Sequence, residues 1–253
     1  MLTVEQETTI DLLKKGLKII QRNDCFHFSL DSLLISEFIK INKRSKKILD
    51  LGTGNAAIPL FLSLRTTAQI YGLEIQKVSY ELAAKNIALN HLEEQVYILH
   101  GDMKNWDHFF SKNSFDIVVS NPPFFEFHGN KALLNDLDQL TLARHEISIT
   151  LEELIQISSM LVKEHGYFYL VHRADRLADI LELCRKYKLE PKRLQFCHTK
   201  RKNNAKILLL EAVKYGKASL QILPPLFANK EDGGYSEEIL RMFEHKGGKH
   251  ARS

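Results

Sequence analysis

The stretch KKILDLGTGNAAIPLFLSL, residues 46–64, joins a short apolar run to an amphipathic run through two closely spaced glycines. KKILDL is typical of a buried strand, and NAAIPLFLSL predicts a helix with Pro59 in its first turn, where a missing N–H does no harm. Gly-x-Gly between strand and helix allows a tight turn and close approach of a ligand to the backbone. Repetition of such a unit builds a doubly wound α/β fold.

The same alternation continues along most of the chain. Strands are predicted in QIYGLEI, VYILHGD, FDIVVS, YFYLVH, LQFCHT and KILLLEAV, and helices in QKVSYELAAKNIALN, LEELIQISSMLV and RLADILELCRKY. Nearly continuous apolar strands between helices indicate a parallel sheet covered on both faces. The last two strands are separated only by the basic turn TKRKNNA, which predicts a hairpin. We therefore predict a Rossmann-like, mostly parallel seven-stranded sheet with an antiparallel edge strand.

Two helical faces can be assigned from spacing alone. Near the N-terminus the apolar residues recur at helical intervals, which predicts a helix with one buried stripe: Ile10, Leu13, Leu17 and Ile20. The helix in QKVSYELAAKNIALN should turn its apolar side chains toward the core: Val78, Leu82, Ala83, Ile87 and Leu89.

The composition limits the class of protein. With 253 residues, 44% of them hydrophobic and 26% charged, the chain can bury a full core. No stretch approaches the roughly 18 apolar residues of a membrane span, so no membrane partner is expected. The start, MLTVEQETTIDLLKK, is acidic where a secretory signal is positive, and we expect a cytoplasmic protein.

Cysteine and histidine spacing gives no support for a disulfide or a metal site. The three cysteines are far apart and are interpreted as reduced core thiols: Cys25, Cys184 and Cys197. Three histidines that could be suspected as ligands lack suitable partners and are interpreted as surface or cleft residues: His145, His165 and His172. We expect no metal.

Positive charge is concentrated in one part of the chain. The net charge is only +4, but residues 185–217 hold eleven lysines and arginines against two glutamates, a local charge of +9. The rest of the chain is then slightly acidic. A basic segment on such a body favours a polyanionic partner over a merely solvated face. Within the basic turn, the candidate contacts to such a partner are Lys200, Arg201, Lys202 and Lys206.

Polar residues follow four consecutive predicted strands at the point where each ends. Asp50, Gly52 and Gly54 accompany the first strand, Glu74 ends the second and Asp102 ends the third. The carboxyl ends of parallel strands meet at one edge of a sheet, where ligands collect. A carboxylate such as Glu74 can accept both hydroxyls of a ribose, which NAD and S-adenosylmethionine share. Asp50 can meet an amino group, which the methionine moiety has and a pyrophosphate lacks, and this favours S-adenosylmethionine.

The fourth strand leads directly into Asn121, Pro122, Pro123 and Phe124. Proline donates no backbone hydrogen bond and keeps the residue before it extended, so this segment should be stiff, with unpaired carbonyls. The Asn121 side-chain oxygen and the Pro122 carbonyl can accept the two hydrogens of a planar NH₂ group, while Phe124 stacks on the ring that bears it. Methyl transfer would then be largely a matter of orientation for an in-line displacement.

DLGTGN, GLEI, GDM and NPPF, in this order and spacing, resemble the Rossmann-fold methyltransferases that modify amino groups. Three further stretches, IIQRNDCFHFSLDSLLISEF, LARHEISITLEEL and YLVHRADRLADILELCRKYKLEPKRLQF, are similar to the bacterial tRNA adenine-N6 methyltransferases that modify a valine tRNA beside the anticodon. The likeness extends over nearly the whole chain, including LPPLFANKEDGGYSEEI. The basic turn is more positive than is usual in that family.

The resemblance implies roles for individual residues. Asn121 to Phe124 would bind the target amine, Glu74 the ribose of the cofactor, and Asp102 the amino group of its adenine. Further cofactor contacts would be Phe28, Asp31, Asp50, Gly52, Gly54 and Asn121, with Phe28 and Asp31 closing over the pocket. Arg144 would face the substrate entrance, although a structural role in a capping segment is about as well supported.

The resemblance also implies a division of the chain and a function. Residues 1–45 would be an N-terminal extension packing over the cofactor site, 46–216 the methyltransferase domain, and 217–253 a C-terminal extension with a disordered end. The expected activity is N6-methylation of an adenine in tRNA by a monomeric enzyme. The alternatives are guanine-N2 methylation of ribosomal RNA, N5-methylation of a protein glutamine, and a non-catalytic RNA-binding module.

Overall fold

The computed structural model describes residues 7–11, 16–22, 29–123 and 149–244. The strands are β1 (Glu7–Asp11), β2 (Lys18–Arg22), β3 (Lys47–Leu51), β4 (Gln69–Glu74), β5 (Val96–His100), β6 (Phe115–Ser120), β7 (Val162–Arg173), β8 (Leu189–His198), β9 (Ala205–Lys214), β10 (Gln221–Ile222) and β11 (Leu226–Phe227). The α-helices are α1 (Leu30–Phe38), α2 (Ala57–Ser63), α3 (Lys77–Leu89), α4 (Leu151–Leu161), α5 (Leu177–Lys186) and α6 (Glu237–Glu244), and two 3₁₀ helices span Met103–His108 and Ala174–Arg176.

The main sheet has the order β10-β8-β9-β7-β6-β3-β4-β5, with β11 pairing to β8. Strands β3 to β7 are all parallel, and β3 lies between β4 and β6. The predicted mostly parallel, Rossmann-like α/β sheet is therefore confirmed, extended by the two-residue strands β10 and β11. Two buried clusters of apolar side chains form the core, one containing Ile48 and Phe61 and the other Leu49 and Phe168. Ile48 and Leu49, successive residues of β3, point to opposite faces.

The antiparallel strand is not at the edge of the sheet. β9 runs antiparallel to both of its neighbours, β7 and β8, and so lies inside the sheet. The prediction was correct about a hairpin and an antiparallel strand but wrong about its place, because a sequence pattern cannot tell which hairpin strand pairs with β7. As a consequence β8 runs in the same direction as β7, and the basic turn after β8 lies at the carboxyl edge of the sheet.

The helix predicted near the N-terminus is wrong for the described residues, because Glu7–Asp11 and Lys18–Arg22 pair as the antiparallel strands β1 and β2. Ile10 is exposed, and Leu13 lies outside the described residues. Asn86 of α3 and Asn90, the residue that follows α3, pair with the backbone of β2 as a neighbouring strand would. The N–H of Ile20 donates to Asn86 Oδ1 over 2.6 Å, and the N–H of Lys18 donates to Asn90 Oδ1 over 2.9 Å. Both asparagine amides donate back to the carbonyls of the same two residues. This tertiary pairing overrides the local helical spacing.

The helix predictions within the sheet region are confirmed, with corrections to one face. Pro59 lies in the first turn of α2. On α3, Leu82, Ala83 and Ile87 are buried as expected. Val78 and Leu89 were wrongly placed in the core and are exposed. Two polar residues, Ser79 and Asn86, lie on the buried face instead. Asn86 is buried because its side chain bonds to the backbone of β2.

The carboxyl end of α1 is fixed to the sheet by two arginines. Arg193 stacks over the ring of Phe38 at 4.3 Å and donates to Glu211 Oε2 over 2.5 Å. Glu211 also accepts from the hydroxyl of Tyr169 over 3.0 Å. Arg65 donates to the last carbonyls of the helix, at Ser36 and Ile39. α1 is therefore held rigidly at one end, while its amino end points to the carboxyl edge of the sheet, where Ser32 meets Asn121.

The cysteine and metal predictions can be compared with the described residues. Cys184 and Cys197 are free, buried thiols, and burial raises the pKa of each to about 12. Cys25, His145 and the end at residues 245–253 lie outside the described residues. No group of three or more potential metal-binding side chains occurs among the residues described. Within the same ranges, the helices are all too short or too polar to cross a membrane.

The two remaining histidines differ in their surroundings. His165 is exposed, as expected for a surface residue. His172 is buried near the end of β7, and burial lowers its pKa. His172 is therefore not a surface residue, whereas its interpretation as a cleft residue stays a prediction.

Candidate functional site at the carboxyl edge of the sheet

The turn after β3 is a tight loop that folds back onto β4. Gly52 and Gly54 both have positive φ, 74° and 57°, which favours glycine. The N–H groups of Gly52 and Thr53 both donate to the carbonyl of Leu73, over 2.9 and 3.2 Å. Among the described residues other than its chain neighbours, no heavy atom lies within 4 Å of the place where a β-carbon would extend from Gly54. The loop therefore exposes backbone to open space beside it.

Asp50 lies beneath this loop, completely buried. One carboxylate oxygen, Oδ2, accepts from the Thr53 hydroxyl over 2.7 Å, while Oδ1 has no hydrogen-bond partner among the described residues. Burial raises the pKa of Asp50 to about 7, the Thr53 hydrogen bond opposes this, and the nearby Glu74 adds to it. An unpartnered buried carboxylate is costly unless a donor or a cation completes it.

Glu74 ends β4 directly opposite the glycine loop. Its Oε2 accepts from the N–H of Gly54 and its Oε1 from the N–H of Gln76, each over 2.8 Å. Burial raises the pKa of Glu74, and these backbone hydrogen bonds oppose the rise. Each carboxylate oxygen can accept more than one hydrogen bond, so Glu74 retains capacity for hydroxyl donors.

Asp102 stands on the far side of Glu74, at the end of β5. Its Oδ1 accepts from the N–H of Lys104 over 2.8 Å and caps the 3₁₀ helix Met103–His108. The preceding Gly101 leaves room for the ring of Phe109, with which an added β-carbon would overlap. The carboxylate is only half-buried and so can reach a ligand at this edge.

Asn121 follows β6 at the opposite side of the glycine loop. β6 pairs with β3 in register, and the Ser120 hydroxyl donates to the carbonyl of Leu51 over 2.7 Å, which fixes the two strand ends together. The Asn121 amide Nδ2 lies 3.3 Å from the Ser32 hydroxyl on α1. This contact uses the nitrogen of the amide and leaves Oδ1 for another donor. Pro122 is buried and Pro123 exposed.

The basic turn lies farther along the same edge. Lys200, Arg201, Lys202 and Lys206 belong to or follow the turn between β8 and β9, and all but the half-buried Lys200 are exposed. Burial raises the pKa of Asp31, on α1, and the charge of Lys206 opposes that rise, which places these two side chains near each other. Since Ser32 contacts Asn121, the first turn of α1 stands between the Asn121 segment and the basic turn.

The edge has the features that a nucleoside carrying a cationic amino group requires. Open space lies beside Gly54, Glu74 has lone pairs left for hydroxyl groups, and Asp50 has a buried oxygen without a described partner. These residues therefore fit S-adenosylmethionine.

Three residues of the predicted site lie outside the described ranges: Phe28, Phe124 and Arg144. Sequence reasoning missed three polar residues that hold the site together: Ser32 beside Asn121, Thr53 on Asp50, and Asn86. The Asn86 amide donates to the carbonyl of Asn55 in the glycine loop over 2.9 Å. The signal for Asn86 was available, since an amide on the apolar face of a helix requires buried partners.

Comparisons with known proteins agree with this geometry. A family model described as a methyltransferase domain matches residues 42–247. A tRNA1(Val) (adenine(37)-N6)-methyltransferase from Porphyromonas gingivalis is 32% identical over 203 residues, covering 78% of this chain and 77% of that protein. A protein of the same name from Phocaeicola vulgatus is 29% identical over 198 residues, covering 78% of this chain and 81% of its own length.

Among solved structures, that of a predicted O-methyltransferase from Agrobacterium tumefaciens matches with a TM-score of 0.67 and 18% identity, covering 87% of this chain and 100% of that one. At this identity the likeness supports the fold. The sequence relatives show the family. The glycine loop, Glu74, Asp102 and the Asn-Pro-Pro segment, which all lie on one edge of the sheet, agree with it. The chain belongs to the tRNA1(Val) (adenine-N6)-methyltransferase family.

Proposed function

We propose that this protein transfers the methyl group of S-adenosylmethionine to N6 of an adenine in tRNA, at the adenine beside the anticodon of a valine tRNA. The observation that carries the proposal is the position of Asn121, which leaves β6 at the carboxyl edge directly beside the glycine loop and Glu74. The names of the relatives support the choice of base and of RNA.

The cofactor would be held by residues from three neighbouring strand ends. Glu74 would accept from the ribose hydroxyls, Asp102 from the adenine amino group, and Asp50 would complete its unpartnered oxygen with the amino group of the methionine moiety. Gly52 and Gly54 would allow close approach of the backbone. When bound, S-adenosylmethionine supplies an electrophilic methyl group on a sulfonium. Phe28 and Asp31 are proposed to close this pocket, and residues 1–45 are proposed to pack over it.

The amine would be oriented by Asn121 and Pro122. Asn121 Oδ1 is left available by the contact of Nδ2 with Ser32, and the Pro122 carbonyl would be the second acceptor. Two acceptors that each take one hydrogen of the NH₂ group would leave the nitrogen lone pair free to point toward the methyl group of the cofactor. The rate of methyl transfer would then depend mainly on how well the nitrogen and the methyl group are aligned. Phe124 would stack on the adenine ring.

The tRNA would approach across the basic turn, whose Lys200, Arg201, Lys202 and Lys206 would contact phosphates. An adenine in a single-stranded loop is already partly unstacked, so entry into the pocket costs little. Arg144 is proposed to stand at the entrance. Because the substrate would be tRNA, we place the activity in the cytoplasm. That the protein acts as a monomer stays a prediction.

The decisive experiment is mass spectrometry of nucleosides from unmodified tRNA incubated with the protein and S-adenosylmethionine. We expect N6-methyladenosine with the wild type and at least about a hundredfold less with Asn121→Ala, because its hydrogen bond matters most as the nitrogen changes shape. Asn121→Ala should still bind tRNA within about threefold of the wild type. N2-methylguanosine as the product, or no methylated nucleoside, would contradict the proposal.

A further inference from the structure

The C-terminal part of the chain builds a small cavity beside the basic turn. β11 pairs in parallel with the end of β8, which sets Phe227 next to His198. A cavity of about 260 Å³ lies here, lined by Arg201, Phe227, Asn229, Lys230, Ser236 and Glu238 among others. It opens at the carboxyl edge of the sheet, the same edge that carries Asn121.

The lining of this cavity includes an arginine that lies over an aromatic ring. The guanidinium of Arg201 lies over the ring of Phe227, 5.3 Å from its centroid, and the ring of His198 contacts Phe227 at 5.4 Å. Phe227 is half-buried and Arg201 exposed. Within the described part of the chain, Arg201 belongs to none of the ion pairs. A guanidinium that lies over an aromatic ring keeps a second planar face, which can stack on a further planar group.

The other groups around the cavity match the edge of a nucleobase. Asn229 offers an amide and Glu238 a carboxylate, which can donate to or accept from base edges. Lys200 and Lys202 flank Arg201 in the turn, where they can contact phosphates. Lys200 uses one donor on the carbonyl of Glu231, over 2.9 Å, and keeps two.

The distance to Asn121 is set by the sheet. β11, which carries Phe227, lies four places from β6 in the order β11-β8-β9-β7-β6. Neighbouring strands are about 4.8 Å apart, so the two strand ends are separated by roughly 19 Å. A stacked strand of nucleic acid rises about 3.4 Å per nucleotide, so this separation corresponds to about six nucleotides, or fewer if the chain is extended. Both places can therefore be reached by a single RNA loop.

We propose that this cavity binds a second nucleotide of the substrate, a single-stranded neighbour of the target adenine whose base stacks on Arg201. The proposal rests on the proposed function, since it takes RNA to be the substrate. It gives Arg201 and Phe227 a part in binding that does not depend on charge alone, and it gives the C-terminal segment a part in RNA recognition.

The test separates stacking from charge with Arg201→Lys, which keeps the charge and removes the planar group. Binding of unmodified tRNA and of an isolated anticodon stem-loop is measured over a range of salt concentrations. We expect Arg201→Lys to weaken both about fivefold or more without changing the salt dependence, since stacking contributes ~1–3 kcal/mol per base. Phe227→Leu, which keeps apolar volume and removes the ring, should act in the same way.

Arg185→Lys is the matched control, because Arg185 lies at the opposite end of β8 and pairs with Glu190 over 2.9 Å. It should bind tRNA as the wild type does. The second site would be overturned if Arg201→Lys bound tRNA with wild-type affinity, or if Arg185→Lys lost as much tRNA affinity as Arg201→Lys. Methylation of tRNA by the wild type would then leave the proposed function intact. If the wild type binds tRNA and Arg201→Lys weakens it without any methylation, the site stands and the proposed function fails. If the wild type does not bind tRNA, both are overturned.

Discussion

Among single residues, the ionised Asp50 is expected to lower the stability of the protein without cofactor and to strengthen binding of the cofactor. Burial raises its pKa from 3.8 to about 7, so the folded protein holds this proton more tightly than the unfolded chain. The contribution to the free energy of unfolding therefore falls as pH rises from about 4 to about 7, and stays low above that range. Asp50→Asn removes the titrating carboxyl group and therefore this fall in the free energy of unfolding. Without cofactor, we expect it to unfold several degrees above the wild type at about pH 8 and close to it at about pH 5.

The same substitution should weaken S-adenosylmethionine binding about tenfold at about pH 8, because a neutral amide cannot pair with an ammonium group. Thermal unfolding at the two pH values and calorimetric titration measure both effects. Since other groups also titrate, the quantity compared is the difference between variant and wild type. An Asp50→Asn protein that binds the cofactor normally would remove Asp50 from the cofactor site.

Among the secondary-structure elements, α3 and its C-terminal cap provide two asparagines that can be compared, Asn86 within the helix and Asn90 directly after it. Both hold β2 through its backbone, but only Asn86 also donates to Asn55 in the glycine loop. Asn86→Ala should cost about 3 kcal/mol or more of stability, since it leaves several buried groups unpaired. Asn90→Ala, at a half-buried position, should cost about 1 kcal/mol.

The two variants also separate holding the hairpin from shaping the cofactor site. We expect Asn86→Ala to weaken S-adenosylmethionine binding at a temperature where both variants are folded, and Asn90→Ala to leave it unchanged. Denaturant unfolding and calorimetry provide the two measurements. Equal cofactor affinity in both variants would show that the Asn86 contact with the loop is only structural.

Across the molecule as a whole, the concentration of positive charge at one edge should govern RNA binding. Changing Lys200, Arg201 and Lys202 together to glutamine should lower tRNA affinity and reduce the slope of log K against log salt by about 2, since each single-strand phosphate contact contributes ~0.7. Changing Lys186, Lys188 and Lys192 removes the same net charge at the amino end of β8 and should leave most of the slope. Equal slopes in the two triple variants would mean that net charge, and not the basic turn, attracts the RNA.

The arrangement of the parallel strands and the helices that cover them follows from local patterns in the sequence. Apolar strands alternating with amphipathic helices require a covered parallel sheet, and parallel strands place their carboxyl ends together. Asp50, Glu74, Asp102 and Asn121 could therefore be assigned to one edge from the order of the strands alone. The stiffness of Asn121-Pro122-Pro123 follows from proline itself.

Contacts between residues distant in the chain settled the rest, and these no local pattern could reveal. The helical spacing near the N-terminus gave way to a hairpin because Asn86 and Asn90 satisfy its backbone, and β9 entered between β7 and β8, which put the basic turn on the same edge as Asn121. The contact of Ser32 with Asn121 spans 89 positions, and Phe227 meets Arg201 only because β11 pairs with β8. Local patterns encode periodicity and backbone stiffness, whereas the partner of a buried polar group is selected by the packing of the whole chain.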